Sequence, residues 1–207
     1  MDRKPYVEPR MARAMNRAIL LVPLLLVLLP GCSGDDADPQ APVATDFTIT
    51  SGSFNDGSAM PQRHTCDGDE VSPQLTITGA PEGTGSLALL MKDEDVPQPT
   101  SGHLTHWVVW NVTVGGAVFP EGSAPLGASE GRNDVGRDGY LGPCPPPAAP
   151  AHHYNLTVYA LAGRPAVRGN ATALELEDAM EGHILARTSL HGTYARHVVP
   201  TSTPSLP

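Results

Sequence analysis

Two carboxylates and two imidazoles at the ends of apolar segments are the residues whose types and spacing could do chemistry. Asp93 and Asp95 follow the run at residues 86–92 (SLALLMK), and Pro97 fixes the chain just beyond them. If that run is a strand, alternation directs both carboxylates to one side. His106 stands beside Trp107 near the start of residues 104–114 (LTHWVVWNVTV), and His152 precedes residues 154–161 (YNLTVYAL), on the same face as Tyr154. A histidine in so apolar a setting is costly to bury unless its ring nitrogens are paired, and a carboxylate from a neighbouring strand end is the partner expected for His106. Such a set suggests a site, and could ligate a divalent metal that activates water for phosphoester or acyl hydrolysis. The same residues also admit a plain reading, with 92–95 (KDED) as a charged turn and each histidine as an ordinary surface residue. The absence of an HExxH pattern and of a GxSxG elbow counts against the hydrolase, and no catalytic metal or cofactor is expected.

The elements that must position these residues read mostly as strand. Residues 47–51 (FTITS) alternate apolar and polar, residues 86–92 are nearly continuous apolar, and residues 104–114 and 154–161 are rich in β-branched and aromatic types. In the longest segment His106, Val108, Trp110, Val112 and Val114 share one face and Trp107 and Val109 the other, which predicts a central strand. One helix is expected: Thr172 and Glu175 form a capping box, Leu176, Met180 and Ile184 recur at four-residue spacing, and Arg187 lies near its end. Residues 190–197 read as a last short strand. The long connections at 115–137 and 139–151 are dense in Gly and Pro, longer than ordinary turns, and hence candidate functional loops. With 21 Gly and 22 Pro in 207 residues the chain is loop-rich, but a 40% hydrophobic share suffices for a core. The expected fold is all-β with one peripheral C-terminal helix, in a single domain over residues 46–200 with a tail at 201–207.

The N-terminal part reads as an export signal. Arg10, Arg13 and Arg17 precede an apolar run at 18–29 (AILLVPLLLVLL), too short for a stable membrane span and suited to a signal-peptide h-region. Leu29-Pro30-Gly31-Cys32 follows and resembles a bacterial lipobox, which would make Cys32 the acylated first residue of the mature protein; Pro30 is unusual there, and cleavage without a lipid is the alternative. Met11 and Met15 are alternative starts. Residues 1–31 are thus expected to be the leader, and 32–45 an acidic, Pro-bearing tether. Export places the domain in the cell envelope, lipid-anchored on the periplasmic or extracellular face. It also implies an oxidising compartment, where Cys66 and Cys144 make an even pair. A disulfide between them is the simpler reading, worth on the order of 4 to 5 kcal/mol by chain entropy; two free thiols near a site are the alternative.

Charge narrows the partners. Of 13 cations five (Arg3, Lys4, Arg10, Arg13, Arg17) lie in the leader with only Asp2 and Glu8, leaving the remainder at 8 cations to 20 anions. Such a surface repels a phosphate backbone, so nucleic acid is excluded and small ligands or proteins are the expected partners.

Several spaced motifs together resemble one family. Residues 66–73 (CDGDEVSP), 93–97 (DEDVP) followed by His106-Trp107, 139–146 (GYLGPCPP), 152–154 (HHY) and 176–196 (LEDAMEGHILARTSLHGTYAR) are similar, in order and spacing, to the signature of the phosphatidylethanolamine-binding protein family in its bacterial, Raf kinase inhibitor-like branch. The resemblance covers about residues 46–197. It implies a large central antiparallel sheet, a smaller sheet and a peripheral helix, with a small pocket for phosphate or a phospholipid head group. Position by position it assigns the pocket carboxylates to Asp93 and Asp95, the following proline to Pro97, the histidines to His106 and His152, an aromatic wall to Tyr154, and a backbone-lined loop to Gly142, Pro143, Pro145 and Pro146. Glu94 and His153 replace the Pro and Arg common at their positions. Carboxylates that accept from the imidazoles would hold them protonated, and the charged rings would then donate to phosphate. The expected function is non-catalytic anion binding, with modulation or inhibition of a protease- or kinase-like partner through a surface loop as the family's further suggestion.

Overall fold

The computed structural model describes residues 46–96 and 102–196. The leader, Cys32, the tether, Pro97 and the tail lie outside the described residues. Within them the chain runs β1 (Thr48–Ser51), β2 (Ser58–Ala59), a 3-10 turn (Gln62–His64), β3 (Leu75–Thr78), β4 (Ser86–Asp93), β5 (Leu104–Val112), β6 (Ala117–Phe119), β7 (Ser129–Glu130), β8 (His152–Leu161), α1 (Ala173–Met180) and β9 (Ile184–Tyr194). The fold is mostly β with one helix, as expected.

β4 reads as a near-continuous apolar run because both of its faces are covered. Leu87, Leu89 and Met91 enter one cluster, while Ala88 and Leu90 enter another. β4 is flanked by β5 and β8 in a six-stranded sheet of order β2-β9-β8-β4-β5-β7, antiparallel except for the parallel β2–β9 pair. A three-stranded antiparallel sheet, β1-β3-β6, brings Ile49, Leu75, Ile77 and Phe119 against the first cluster. On the second cluster sits α1, through Leu176 and Met180. Burying large apolar side chains on both sides of one sheet supplies the main favourable term, roughly 1.5 to 3 kcal/mol for each fully covered Leu, Val or Phe.

Three expectations need correction. β5 is second from the edge rather than central, with only the two-residue β7 beyond it. Its faces also switch: two residues of β5 oppose one of β4 between the Leu89–Val109 and Leu87–Val112 pairs, where Asn111 takes φ 60°. This bulge carries Val112 into the cluster of Trp107 and Val109, away from Val108 and Trp110. The helix is shorter than its apolar spacing suggests. Its capping box forms as read, Thr172 accepting from the Glu175 N–H and Glu175 from the Thr172 N–H, but the helix stops at Met180 and Gly182 turns the chain at φ 75°. Ile184 and Arg187 therefore lie in β9, whose pairing with β8 along nearly its whole length outweighs a helical continuation.

Lys92 on β4 bonds Glu177 on α1 at 2.6 Å, so the helix is tied to the sheet by charge as well as by packing. Leu176→Ala should lower the unfolding free energy by about 2 to 5 kcal/mol through the cavity it leaves. Thr172→Ala should cost about 1 kcal/mol through the lost cap. Urea unfolding of both variants checks the ordering, and an equal or larger loss for Thr172→Ala would contradict it.

Candidate functional site

The site forms where β4 ends and where β5 and β8 begin. Trp107 pairs with Met91 and Thr105 with Lys92, so His106 is an extra residue in β5, a second bulge. Simple alternation would send His106 toward Val108, Trp110 and the helix. The bulge instead turns it to the face of Tyr154, whose ring meets it edge-on at 5.2 Å between centroids and 88°.

His106 and Asp93 do not pair, contrary to the expectation. His106 Nδ1 donates to the Leu141 carbonyl at 2.8 Å, and the Leu141 N–H returns a 2.8 Å bond to the His106 carbonyl. The buried Asp93 carboxylate takes His152 Nδ1 at 2.8 Å through Oδ2 and the Asp95 N–H at 2.9 Å through Oδ1. The two carboxylates, expected on one side, diverge because β4 ends at Asp93. Asp95 faces outward and accepts from both the backbone N–H and the ring of exposed His153, at 2.6 and 2.8 Å.

The loop at 139–146 forms another wall. A Cβ at Gly142 would stand 2.9 Å from Glu70 Cγ and 3.0 Å from the Thr65 carbonyl carbon, so only glycine fits this approach. The Gly142 N–H donates to Glu70 Oε1 at 3.2 Å, and Arg137 reaches the same oxygen at 3.2 Å. Cys66 and Cys144 form a disulfide, and the Cys66 N–H bonds the Pro143 carbonyl at 3.1 Å. Pro143 and Pro145 are buried beside it. Sequence reasoning missed Glu70 as a residue of the site wall, although it lies inside CDGDEVSP. It also missed Asp67, which binds Arg196 at 2.9 Å and the Tyr194 hydroxyl at 2.7 Å.

The comparisons with known proteins fall on these segments. The phosphatidylethanolamine-binding protein family model matches residues 50–195. The chain belongs to the phosphatidylethanolamine-binding protein family. It is 40% identical to a UPF0098 protein of Pyrococcus abyssi, over 85% of this chain and 98% of that protein. LppC of Mycobacterium tuberculosis, named as a candidate lipoprotein, is 33% identical over 82% of this chain and 89–91% of its own length. Among solved structures, a Chlamydia trachomatis homologue of phosphatidylethanolamine-binding protein superposes with a TM-score of 0.67 at 35% identity, covering 72% of this chain and 96% of that one. YbcL of Escherichia coli, described as a member of the mammalian family, gives 0.67 at 31% identity over 72% and 98%.

In this family member two buried polar atoms of the site lack partners: Nε2 of His106 and the hydroxyl of Tyr154. Burial pushes the His106 ring below its ordinary range, against the opposing pull of the Leu141 bond and the nearby Asp93 charge. Burial and Asp93 push the Tyr154 phenol far above its usual value, so it stays protonated. Asp95 is held below the carboxylate range by its bonds to His153, and Asp67 by Arg196 and then Tyr194. A cavity of about 730 Å³ lies elsewhere, between α1 and residues 166–172 with Arg132 and Arg168 on its wall. Buried polar atoms without partners cost free energy that a ligand able to bond them can recover. Among the described residues no three His, Cys, Asp or Glu side chains converge as a metal site would need.

A histidine whose folded pKa is depressed binds fewer protons than in the unfolded chain, so stability rises with pH through that window. The His106 contribution is present above about pH 6.5 and declines as the pH falls through 6.5 toward the folded value. The lowered carboxylates Asp56, Asp67, Asp95 and Glu175 act only below about pH 4. Thermal midpoints of the unliganded protein should therefore drop between pH 7 and 5, and His106→Gln should flatten the drop. A midpoint that climbs over the same interval would mean the ring is held charged.

Proposed function

We propose that the protein is a non-catalytic envelope protein, lipid-anchored at Cys32, whose site holds a phosphate-bearing or other anionic small ligand of the phospholipid head-group kind. One observation carries the reading: the buried rings of His106 and Tyr154 meet edge-on, each carries a polar atom without a well-formed bond, Nε2 and the hydroxyl, and Asp93 and His152 pair beside them. A small oxyanion offers several oxygens in a compact group, and so can satisfy both atoms at once. The anchor is supported by the leader and the Leu29-Pro30-Gly31-Cys32 sequence, together with the candidate-lipoprotein name of LppC. The hydrolase has less support, because Asp93 and His152 spend Oδ2 and Nδ1 on each other and His106 spends Nδ1 on Leu141.

A protein partner is the second reading, and one docking on the loop between β6 and β7 would cover Leu126, which is fully exposed there.

Calorimetric titration of the intact protein with phosphorylethanolamine and with inorganic phosphate tests the site. Binding should weaken about 10-fold or more in both His106→Ala and His152→Ala, the loss of a charge-assisted or buried hydrogen bond. Affinity unchanged in both folded variants would remove the site from consideration and leave the loop at 120–128 as the leading surface.

A further inference from the structure

His106 is held in one tautomer. Its Nδ1 bonds the Leu141 carbonyl, and a carbonyl only accepts, so the hydrogen of the neutral ring sits on Nδ1. Nε2 is then a bare acceptor, buried and without a partner. The second such atom, the Tyr154 hydroxyl, lies against the Asp93 carboxylate without a well-formed bond to it, and can donate or accept. The charged and titratable groups around His106 are Asp93 of β4, Asp134 of the loop after β7, and His152 and Tyr154 of β8. Asp93 is engaged with His152 and with the Asp95 N–H, and Asp134 accepts the Thr105 N–H at 2.7 Å. None of them reaches His106 Nε2.

A fully ionised phosphate is a poor complement to such a site. It carries acceptors alone, would meet a bare acceptor at Nε2, and would sit near the Asp93 carboxylate. Building on the anion-site reading above, we propose that the site binds oxyacids that retain one hydrogen, a phosphomonoester monoanion being the fitting class, with that hydrogen between a ligand oxygen and His106 Nε2 and a second ligand oxygen accepting from the Tyr154 hydroxyl. A dianion binds only together with a proton from solution. The balance is simple: protein with neutral His106, plus dianion, plus one H⁺, gives the same complex as protein plus monoanion. Only an O–H or N–H bond is made. Burial disfavours a proton on the unliganded ring, which is why it must arrive with the ligand. An imidazole already charged by a carboxylate, as the sequence suggested, would instead bind the dianion with no uptake.

Calorimetry of the intact protein with phosphorylethanolamine, repeated in buffers of different ionisation heat, counts the protons. Phosphomonoesters lose their second proton near pH 6, so the ligand is a dianion at pH 8. Uptake of about one proton per ligand is expected there, with affinity falling about tenfold per pH unit between pH 7 and 8. Uptake should decline as the pH drops through the ligand's own transition. Nitrogen NMR of the unliganded protein at pH 7 should show the His106 hydrogen on Nδ1 and none on Nε2. His106→Gln, which keeps hydrogen-bonding groups but does not titrate, should lose the steep pH dependence. Buffer-independent heats with constant affinity from pH 7 to 8, or an unliganded imidazolium at pH 7, would overturn proton-coupled binding and leave the anion site standing. No binding heat from folded protein at pH 6 would overturn both.

Discussion

The bulge at His106 is the constraint on which the site depends. A regular β5 would place His106 with Val108 and Trp110 under the helix, in an apolar cluster without a hydrogen-bonding partner for the ring. The extra residue opposite β4 turns the side chain over and leaves its backbone out of the ladder. That backbone is then satisfied by Leu141, which donates to the His106 carbonyl and accepts from its ring. A local irregularity thus becomes a fixed orientation. The same two bonds dock the loop at 139–146 onto the sheet, so strand and loop hold each other.

Holding that loop takes more than one contact, because it is rich in proline and poor in backbone donors. Glu70 supplies an acceptor for the Gly142 N–H from a backbone at φ 55°, a conformation that a non-glycine residue adopts at some cost. The Cys66–Cys144 bridge spans 78 residues of sequence, and Asp67 next to it clamps Arg196 and Tyr194 at the end of β9. Segments far apart in the chain are thus joined within a few residues of Leu141, the partner of His106. Rigidity of this kind reduces the ordering cost when a ligand binds.

Much of this was legible in the sequence, and the parts that were not share a cause. A near-continuous apolar run announced β4, β-branched and aromatic content announced β5 and β8, and the capping box announced the start of α1. The helix end was overrun because Ile184 falls at the right spacing for another turn, and only pairing with β8 assigns it to a strand. The short strands β3 and β6, four and three residues long, carry too little periodicity to be distinguished from loop. Asp93, His106, His152 and Tyr154 could be singled out from their places at strand ends. Their partners could not, because a bulge is a property of two strands in register. Alternation within β5 alone gives the wrong face for His106, and hence the wrong hydrogen bond. Glu70 was hidden among the acids of CDGDE, where nothing local separates a wall residue from a solvated one.

The acidity of the chain bears on what such a site can select. Beyond the leader the chain carries 20 anions to 8 cations, a field that opposes the approach of any anion. At physiological ionic strength that field is screened within about 8 Å, so it slows encounter more than it weakens the bound state. In the proposed binding mode the groups that touch the ligand decide its affinity, and the carboxylate acting most strongly on His106 there is Asp93, already bonded to His152 and Asp95. A site that meets an anion with a neutral imidazole and a protonated phenol, next to a buried carboxylate, gains from hydrogen bonds rather than from net charge. Each added negative charge on the ligand raises the repulsion from Asp93 without adding a donor. In the proposed binding mode the arrangement would discriminate against highly charged phosphates and in favour of groups that bring one hydrogen and little charge, a discrimination that would follow from the tautomer that Leu141 imposes on His106.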